Sequence, residues 1–375
     1  MRSIPRALLL ALVAVVPFAC TDDVTPDRLL APDGAVERRA DGNAGTVPVR
    51  LMSRNVYLGA DIDHVLADPE AGGDIAWAEI MYANFPERAA ELAEEIVARM
   101  PHLVGLQEVS EYVVLHPVSY EILYRLDFLE ILMDYLGVYG AKYEVVTESQ
   151  NFQARVPMGG HVVRYTDSDV ILALAGVEYD GEGWKPFEEQ VNLGDYVAGL
   201  GFNYRSYQWA EVEIEGQSFL FVNTHFEIQR WAEVQEEQAA ELLAFVDGYE
   251  GPTFMVGDFN SAANRNAAAG HRTGSYQMIL DAGFHDLWLP HDGVVNNSGL
   301  TCCQASDLSN TASELDQRID FIFARAVPYW KGNRRAAAKL EVVGERPSDR
   351  FLTSGEYYLW PSDHAGLFGE ILIRP

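Results

Sequence analysis

The amino-acid sequence predicts an α/β fold arranged as a two-sheet sandwich. Three observations carry this expectation. Short apolar runs of strand length alternate with amphipathic helical stretches throughout residues 47–375. Tight-turn signals such as Glu215-Gly216 join neighbouring runs and imply antiparallel pairing. No linker-like stretch divides this length, so it reads as one domain. A purely parallel, doubly wound sheet fits less well, because hairpins have no place in it.

The elements follow in order. "VPVRLMSRNVYLG" begins at Val47 as a strand, breaks at Asn55 and ends at Gly59. An amphipathic helix covers about Phe85 to Arg99, with Leu92, Ile96 and Val97 on one face, and Pro101 stops it. "HLVGLQEV" is a short strand ending in Gln107-Glu108, and a helix-rich stretch is expected from there to about Leu136. "YEVVTE", "DVILALAGVEY", "QWAEVEIEG" and "SFLFVNTHFE" read as strands. A long acidic helix from about Glu227 to Val246 precedes the strand "PTFMVGDFN" and the helix "GSYQMILDAG". After an irregular polar loop from about His291 to Leu315 come the strand "RIDFIFAR" and the closing run "WPSDHAGLFGEILI".

The N-terminus reads as an export signal. Arg2 and Arg6 precede "ALLLALVAVV" (Ala7 to Val16), which has the length of a secretory apolar region and is too short to span a bilayer. "PFAC" then ends at Cys20, and a small residue before Cys resembles the lipobox of bacterial lipoproteins. Residues 1–19 are therefore expected to be a signal peptide and Cys20 the site of a lipid anchor, in the bacterial cell envelope. Pro17 and Phe18 are atypical of that pattern, and ordinary cleavage with secretion is the alternative. Residues 20–46, rich in Asp, Pro, Gly, Ala and Arg without apolar period, read as a flexible tether.

Charge narrows the partners. Fifty-six acidic residues against 27 Lys and Arg give a formal net charge of -29, spread along the chain. Such a surface repels polyanions and lacks the cationic footprint of a high-affinity nucleic-acid binder. An enzyme that reaches a phosphate through a bound cation remains compatible with it. Beyond Cys20 the only cysteines are the adjacent Cys302 and Cys303. A trans peptide holds neighbouring Cα atoms ~3.8 Å apart, short of the usual bridged range. Two small buried thiols are the expectation, with a strained vicinal disulfide as the alternative.

Polar, metal-competent residues recur where apolar runs end: Asn55, Glu108, Asn223 with His225, Asp258 with Asn260, Asp320, and Asp363 with His364. Singly, each reads as a turn, a cap or a hydrogen-bonded side chain. Together they are chemically coherent. Carboxylate and amide oxygens suit Mg²⁺, Mn²⁺ or Ca²⁺ rather than zinc. Crowded carboxylates repel phosphate, and a divalent cation reverses that sign. Imidazoles add groups that exchange protons near neutral pH. Metal, carboxylates and imidazoles together describe phosphoester hydrolysis.

The ordered set Asn55, "QE", "NTH", "GDFN", "RIDFIF" and "SDH" resembles the endonuclease/exonuclease/phosphatase superfamily, which includes DNase I-like nucleases, bacterial neutral sphingomyelinases and inositol-polyphosphate 5-phosphatases. The likeness runs from about Val47 to Ile373. It implies a four-layered α/β sandwich, with two central mixed sheets flanked by helices. It also implies that Asn55, Glu108 and Asp363 hold the catalytic Mg²⁺, while Asp258 and Asn260 orient water and the scissile phosphate. His364 matches the catalytic histidine, with Asp320 placed to orient it, and His225 matches a second histidine that stabilises the transition state or leaving group. Tyr57 stands where some relatives carry Asp, and the nearby Asp61 and Asp63 read as capping or surface residues.

The expected function is that of an exported, Mg²⁺-dependent phosphoesterase, acting as a monomer on nucleic acid, a phospholipid or a small phosphodiester. An inactive binding lipoprotein that keeps the fold is the alternative, and retention of Glu108, His364 and the Asp258/Asn260 pair argues against it. Tyr357, Tyr358 and Trp360 offer either a membrane contact or packing beneath the "SDH" loop.

Overall fold

A strand buried on both faces must be apolar at consecutive positions, and the Gln217–His225 strand meets that demand: its Phe219 and Phe221 face one way, Leu220 and Val222 the other, and all four are buried. The structure is a computed structural model that describes residues 46–197, 200–289, 298–327 and 338–373. The expected signal peptide, Cys20 and the tether up to residue 45 lie outside the described residues.

Two large mixed sheets form the centre. The first runs, in spatial order, through strands Ala338–Val343, Gly366–Ile373, Val47–Asn55, Leu103–Leu115, His161–Leu174 and Tyr143–Glu148. The second runs through His285–Asp286, Asp320–Arg325, Thr253–Asp258, Gln217–His225, Ser206–Ile214 and Glu178–Pro186. Val49, Leu51 and Ile371 of the first sheet meet Phe219, Phe254 and Ile322 of the second in one apolar layer between them. Helices Pro69–Ala83, Phe85–Arg99 and Phe128–Val138 cover the outer face of the first sheet, and Ala232–Asp247 and Ser275–Asp281 cover that of the second. The result is the expected four-layered sandwich. Among the described residues, no helix is long and apolar enough to cross a membrane.

Each sheet contains a parallel pair of neighbouring strands. Val47–Asn55 runs parallel to Leu103–Leu115, placing Asn55 opposite Gln107. Gln217–His225 runs parallel to Thr253–Asp258, placing His225 opposite Asp258, and Asp258 is in turn opposite Asp320 across an antiparallel pair. Parallel strands end together, so their polar termini gather at one edge of the sandwich.

One expectation is corrected. The stretch after Glu108 is not helix-rich. The strand continues to Leu115, returns as Ile122–Asp127, and only Phe128–Val138 is helical. The β-branched and aromatic content of "VSEYVVL" favours a strand, and the segment pairs with His161–Leu174. Glu108 consequently sits mid-strand, at a register shift between Leu106 and Val109, with φ of 58°. This bulge re-aims its side chain. Cys302 and Cys303, the adjacent pair, have their sulfurs in contact. The peptide between them is cis, not trans, and brings the Cα atoms to 3.0 Å.

Candidate active site

The site is assembled from strand termini, the mid-strand bulge at Glu108 and the loop that precedes the last strand. Asn55 ends the Val47 strand, and its amide oxygen accepts the Tyr57 N–H at 2.9 Å. The amide nitrogen is thereby turned outward, donating to Glu108 Oε1 at 3.0 Å and Asp258 Oδ2 at 3.3 Å. Asn55 thus ties the carboxylates of both sheets together. Glu108 Oε2 accepts from the Leu58 N–H at 2.9 Å.

Asp258 closes the second sheet's half of the site. Its Oδ1 accepts from the Asn260 N–H at 2.9 Å, and Asn260 adopts a left-handed φ of 49° that folds the chain back. The Asn260 side chain donates to the Phe226 carbonyl at 3.1 Å. Two imidazoles flank Asp258 Oδ2: His225 Nε2 at 3.4 Å and His364 Nε2 at 3.8 Å. Behind His364, Asp320 Oδ2 lies 2.9 Å from Nδ1. The backbone carbonyl of His364 accepts from the buried Arg54 guanidinium, which is also paired with Glu95. Ser362 Oγ donates to the Asn55 carbonyl and accepts from the His364 N–H, fastening "SDH" to the end of the first strand.

The two histidines differ in charge. Arg205 Nη1 lies 2.7 Å from His225 Nδ1. A guanidinium only donates, so Nδ1 is the acceptor and the ring proton sits on Nε2. Burial, the Arg205 charge and His364 hold the His225 pKa well below its usual value, so His225 is neutral. For His364, burial works toward the neutral form, but Asp320, Asp363 and Asp258 outweigh it and hold the pKa well above the usual value. Burial followed by Asp320 pushes Asp258 up to about 7, and burial raises Asp363 to about 6.

Glu108, Arg205, His225, Asp258, Asn260, Asp363 and His364 line a cleft of about 380 Å³. Five carboxylates face it, from Asp61, Asp63, Glu108, Asp258 and Asp363, against the single guanidinium of Arg205. Asp320 Oδ1 is buried without a hydrogen-bond partner. Asp258, Asp320 and His364 each offer a ligand atom, all within 4.8 Å of one another. An oxygen-rich, carboxylate-dominated donor set of this kind fits a hard divalent cation.

A model of the Endonuclease/Exonuclease/phosphatase family matches residues 55–364, from the Asn55 strand end to the "SDH" histidine. The chain belongs to this family. Solved structures agree in fold. A family protein from Leptotrichia buccalis C-1013-b is 15% identical, with a TM-score of 0.53, covering 86% of this chain and 99% of the other. An endonuclease/exonuclease/phosphatase from Beutenbergia cavernae DSM 12333 is 20% identical, with a TM-score of 0.51 and coverages of 87% and 72%. One from Bacteroides vulgatus is 16% identical, with a TM-score of 0.51 and coverages of 88% and 100%. A comparison with curated protein sequences finds no match. Family enzymes typically hydrolyse phosphoester bonds and generally use a divalent metal.

Of the residues singled out in the sequence, Asn55, Glu108, His225, Asp258, Asp320 and His364 form one connected cluster, and Asn260 and Asp363 line the same cleft. Asn223 does not face it. Its amide lies between the sheets, bonded to Leu106 O, Gln208 Oε1 and Gln107 Nε2. Trp360 is fully buried and donates to the Asn310 carbonyl, so it packs beneath the loop, whereas Tyr358 is half exposed. Asp61 and Asp63 lie on the cleft wall, not merely at a helix cap. Arg205 and the buried Asp167 and Asp169 escaped the sequence reading. For the two acids, the alternation in "TDSD" on a strand was an available signal; nothing in "NYRSY" marks Arg205.

Proposed function

We propose that the protein is an exported, Mg²⁺-dependent phosphoesterase that hydrolyses its substrate by direct attack of water. The observation that carries this reading is the arrangement of His225 and His364 about one oxygen of Asp258, beside Glu108 in an acidic cleft. Glu108 and Asp363, with Asn55 holding Glu108 in place, are the residues assigned to the cation; Asp258 and Asp320 extend the carboxylate set. When bound, the cation supplies charge neutralisation and polarises a phosphoryl oxygen.

The chain's own groups then divide the proton work. Asp258, whose pKa burial and Asp320 raise to about 7, takes the proton of the attacking water. The new bond forms between that water oxygen and phosphorus, and the ester P–O bond opposite it breaks. His364, kept protonated by Asp320, Asp363 and Asp258 against the pull of burial, gives its proton to the departing oxygen. His225 stays neutral and presents its Nε2–H to the phosphoryl group as a hydrogen-bond donor. Asn260 holds the turn that sets Asp258 in place. The products are an alcohol and a phosphate with one fewer ester.

A Mg²⁺-supplemented panel tests this: plasmid DNA, RNA, sphingomyelin, inositol phosphates and bis-p-nitrophenyl phosphate, each with EDTA and Glu108→Gln controls. Hydrolysis of at least one substrate, abolished by EDTA, is expected. Full activity in His364→Ala would overturn the assignment. Export rests on the N-terminal signal and predicts that deleting residues 2–19 leaves the protein in the cytoplasm; the lipid anchor predicts fatty-acid labelling of the exported protein that Cys20→Ala abolishes.

A further inference from the structure

Beside the catalytic cleft lies a second cavity, of about 100 Å³. All but four of its lining residues are apolar or aromatic. Its walls come from the helix Asp63–Ala67 through Leu66, the strand Phe152–Met158 through Phe152, Ala154 and Met158, and the segment carrying Leu193. The four polar residues are Glu108, Asp167, Asn203 and Arg205. Leu58, Ala60, Ile62, Glu108 and Arg205 line both spaces, so cavity and cleft share a wall at the Glu108 carboxylate. Arg205 is nine-tenths buried there, and its Nε has no hydrogen-bond partner.

We propose that this cavity is a specificity pocket for a short alkyl or aryl group carried by the phosphate ester. The proposal rests on the phosphoesterase reading and deepens it. A phosphate in the cleft beside Glu108 and Arg205 has a substituent within reach of the shared wall. Along the walls formed by Leu66, Phe152, Ala154 and Met158 a hydroxyl or charge would be buried without a partner, which disfavours a sugar or a charged headgroup there. The same walls reward an alkyl chain or ring for leaving water. Size sets the limit: an apolar cavity of roughly 150 Å³ holds a benzene ring, so the present one takes a group of about that size or smaller, not a full-length acyl chain.

The test uses phosphonates, which keep the anionic head but cannot be hydrolysed at the P–C bond. Methyl-, butyl-, hexyl- and dodecylphosphonate are titrated calorimetrically into the full chain with Mg²⁺ present. The Kd is expected to fall about fourfold per added methylene up to about hexyl and then to level off. Ala154→Phe fills the cavity from a half-buried position on a strand bonded to a neighbour on one side only. It should leave methylphosphonate binding unchanged and flatten the chain-length dependence. Leu66→Asn, on the helix Asp63–Ala67, should weaken hexylphosphonate and spare methylphosphonate, and serves if the first variant fails to fold. A flat series in the wild type, no binding of hexylphosphonate, or continued tightening to dodecyl overturns the proposal. Because no turnover is involved, chain-length preference without hydrolysis of any ester would overturn the phosphoesterase reading alone.

Discussion

Oδ2 of Asp320 lies 2.9 Å from Nδ1 of His364, and both side chains are buried. Burial alone would strip the proton from His364; Asp320, with Asp363 and Asp258, keeps it there. Asp320→Asn preserves the shape and removes the charge. The folded pKa of His364 is raised, so its protonated form persists as pH rises; losing a carboxylate lowers that pKa, and the proton-donating form disappears at lower pH. We expect kcat to fall on the order of 10²-fold and the alkaline limb of the kcat/KM profile to move down in pH. An unmoved limb would remove Asp320 from this role.

Glu108 carries its carboxylate into the cleft on a bulge, with one oxygen held by Asn55 and the other by the Leu58 N–H. Glu108→Gln keeps the volume and loses the charge. Calorimetry should show Mg²⁺ binding weakened at least about tenfold, while the circular dichroism spectrum remains that of the wild type. Unchanged Mg²⁺ affinity would place the cation elsewhere in the cleft.

Gly257 precedes Asp258 with φ of 146°, and a Cβ there would stand 2.0 Å from the Thr224 carbonyl oxygen. Any side chain both strains the backbone and forces two strands of the second sheet apart. Gly257→Ala is expected to cost on the order of 3 kcal/mol, read as a lowered urea midpoint. A midpoint within error of the wild type would contradict the close approach of the strands.

His102 accepts the Arg50 N–H at Nδ1, a bond only the neutral ring can make. Burial, and then the Arg50 charge, lower its pKa from 6.5 to about 4. The unfolded chain takes up this proton below pH 6.5 while the folded chain resists it, so stability is lost as pH falls from about 6.5 to about 4 and levels off below. His102→Gln should flatten that part of the curve in denaturant melts at several pH values. A curve as steep as the wild type's would assign the acid sensitivity to other groups.

The helix Phe85–Arg99 was legible to its ends because a strong apolar face lies between Pro86 and Pro101. The hairpin after Glu108 was not, since its exposed Ile122, Leu123 and Tyr124 break the inside–outside alternation that marks a half-buried strand. Most of the residues that meet in the cleft stood out in the sequence as polar groups interrupting apolar text, although Glu108 does so on a mid-strand bulge and not at a strand ending. What the text could not reveal was which atoms they present. The Asn55 amide turns its nitrogen, not its oxygen, toward Glu108, a choice made by the Tyr57 N–H. Arg205, which decides the tautomer of His225, stands in the short link just before the Ser206–Ile214 strand, where no ending of an apolar run marks it.

The carboxamide of Asn223 belongs to the second sheet, yet donates to the Leu106 and Val170 carbonyls of the first and accepts from Gln107. It sits two residues before His225, and Gln107 immediately precedes Glu108. Gly105 leaves the space for it, because a Cβ there would stand 2.4 Å from the Asn223 Oδ1. The apolar layer between the sheets resists separation but is indifferent to sliding, since dispersion contacts have little directional preference. Directional bonds are not indifferent. Asn223 therefore acts as a dowel through two sliding plates, and it is this peg that keeps the Glu108 half of the cleft aligned with the His225 half.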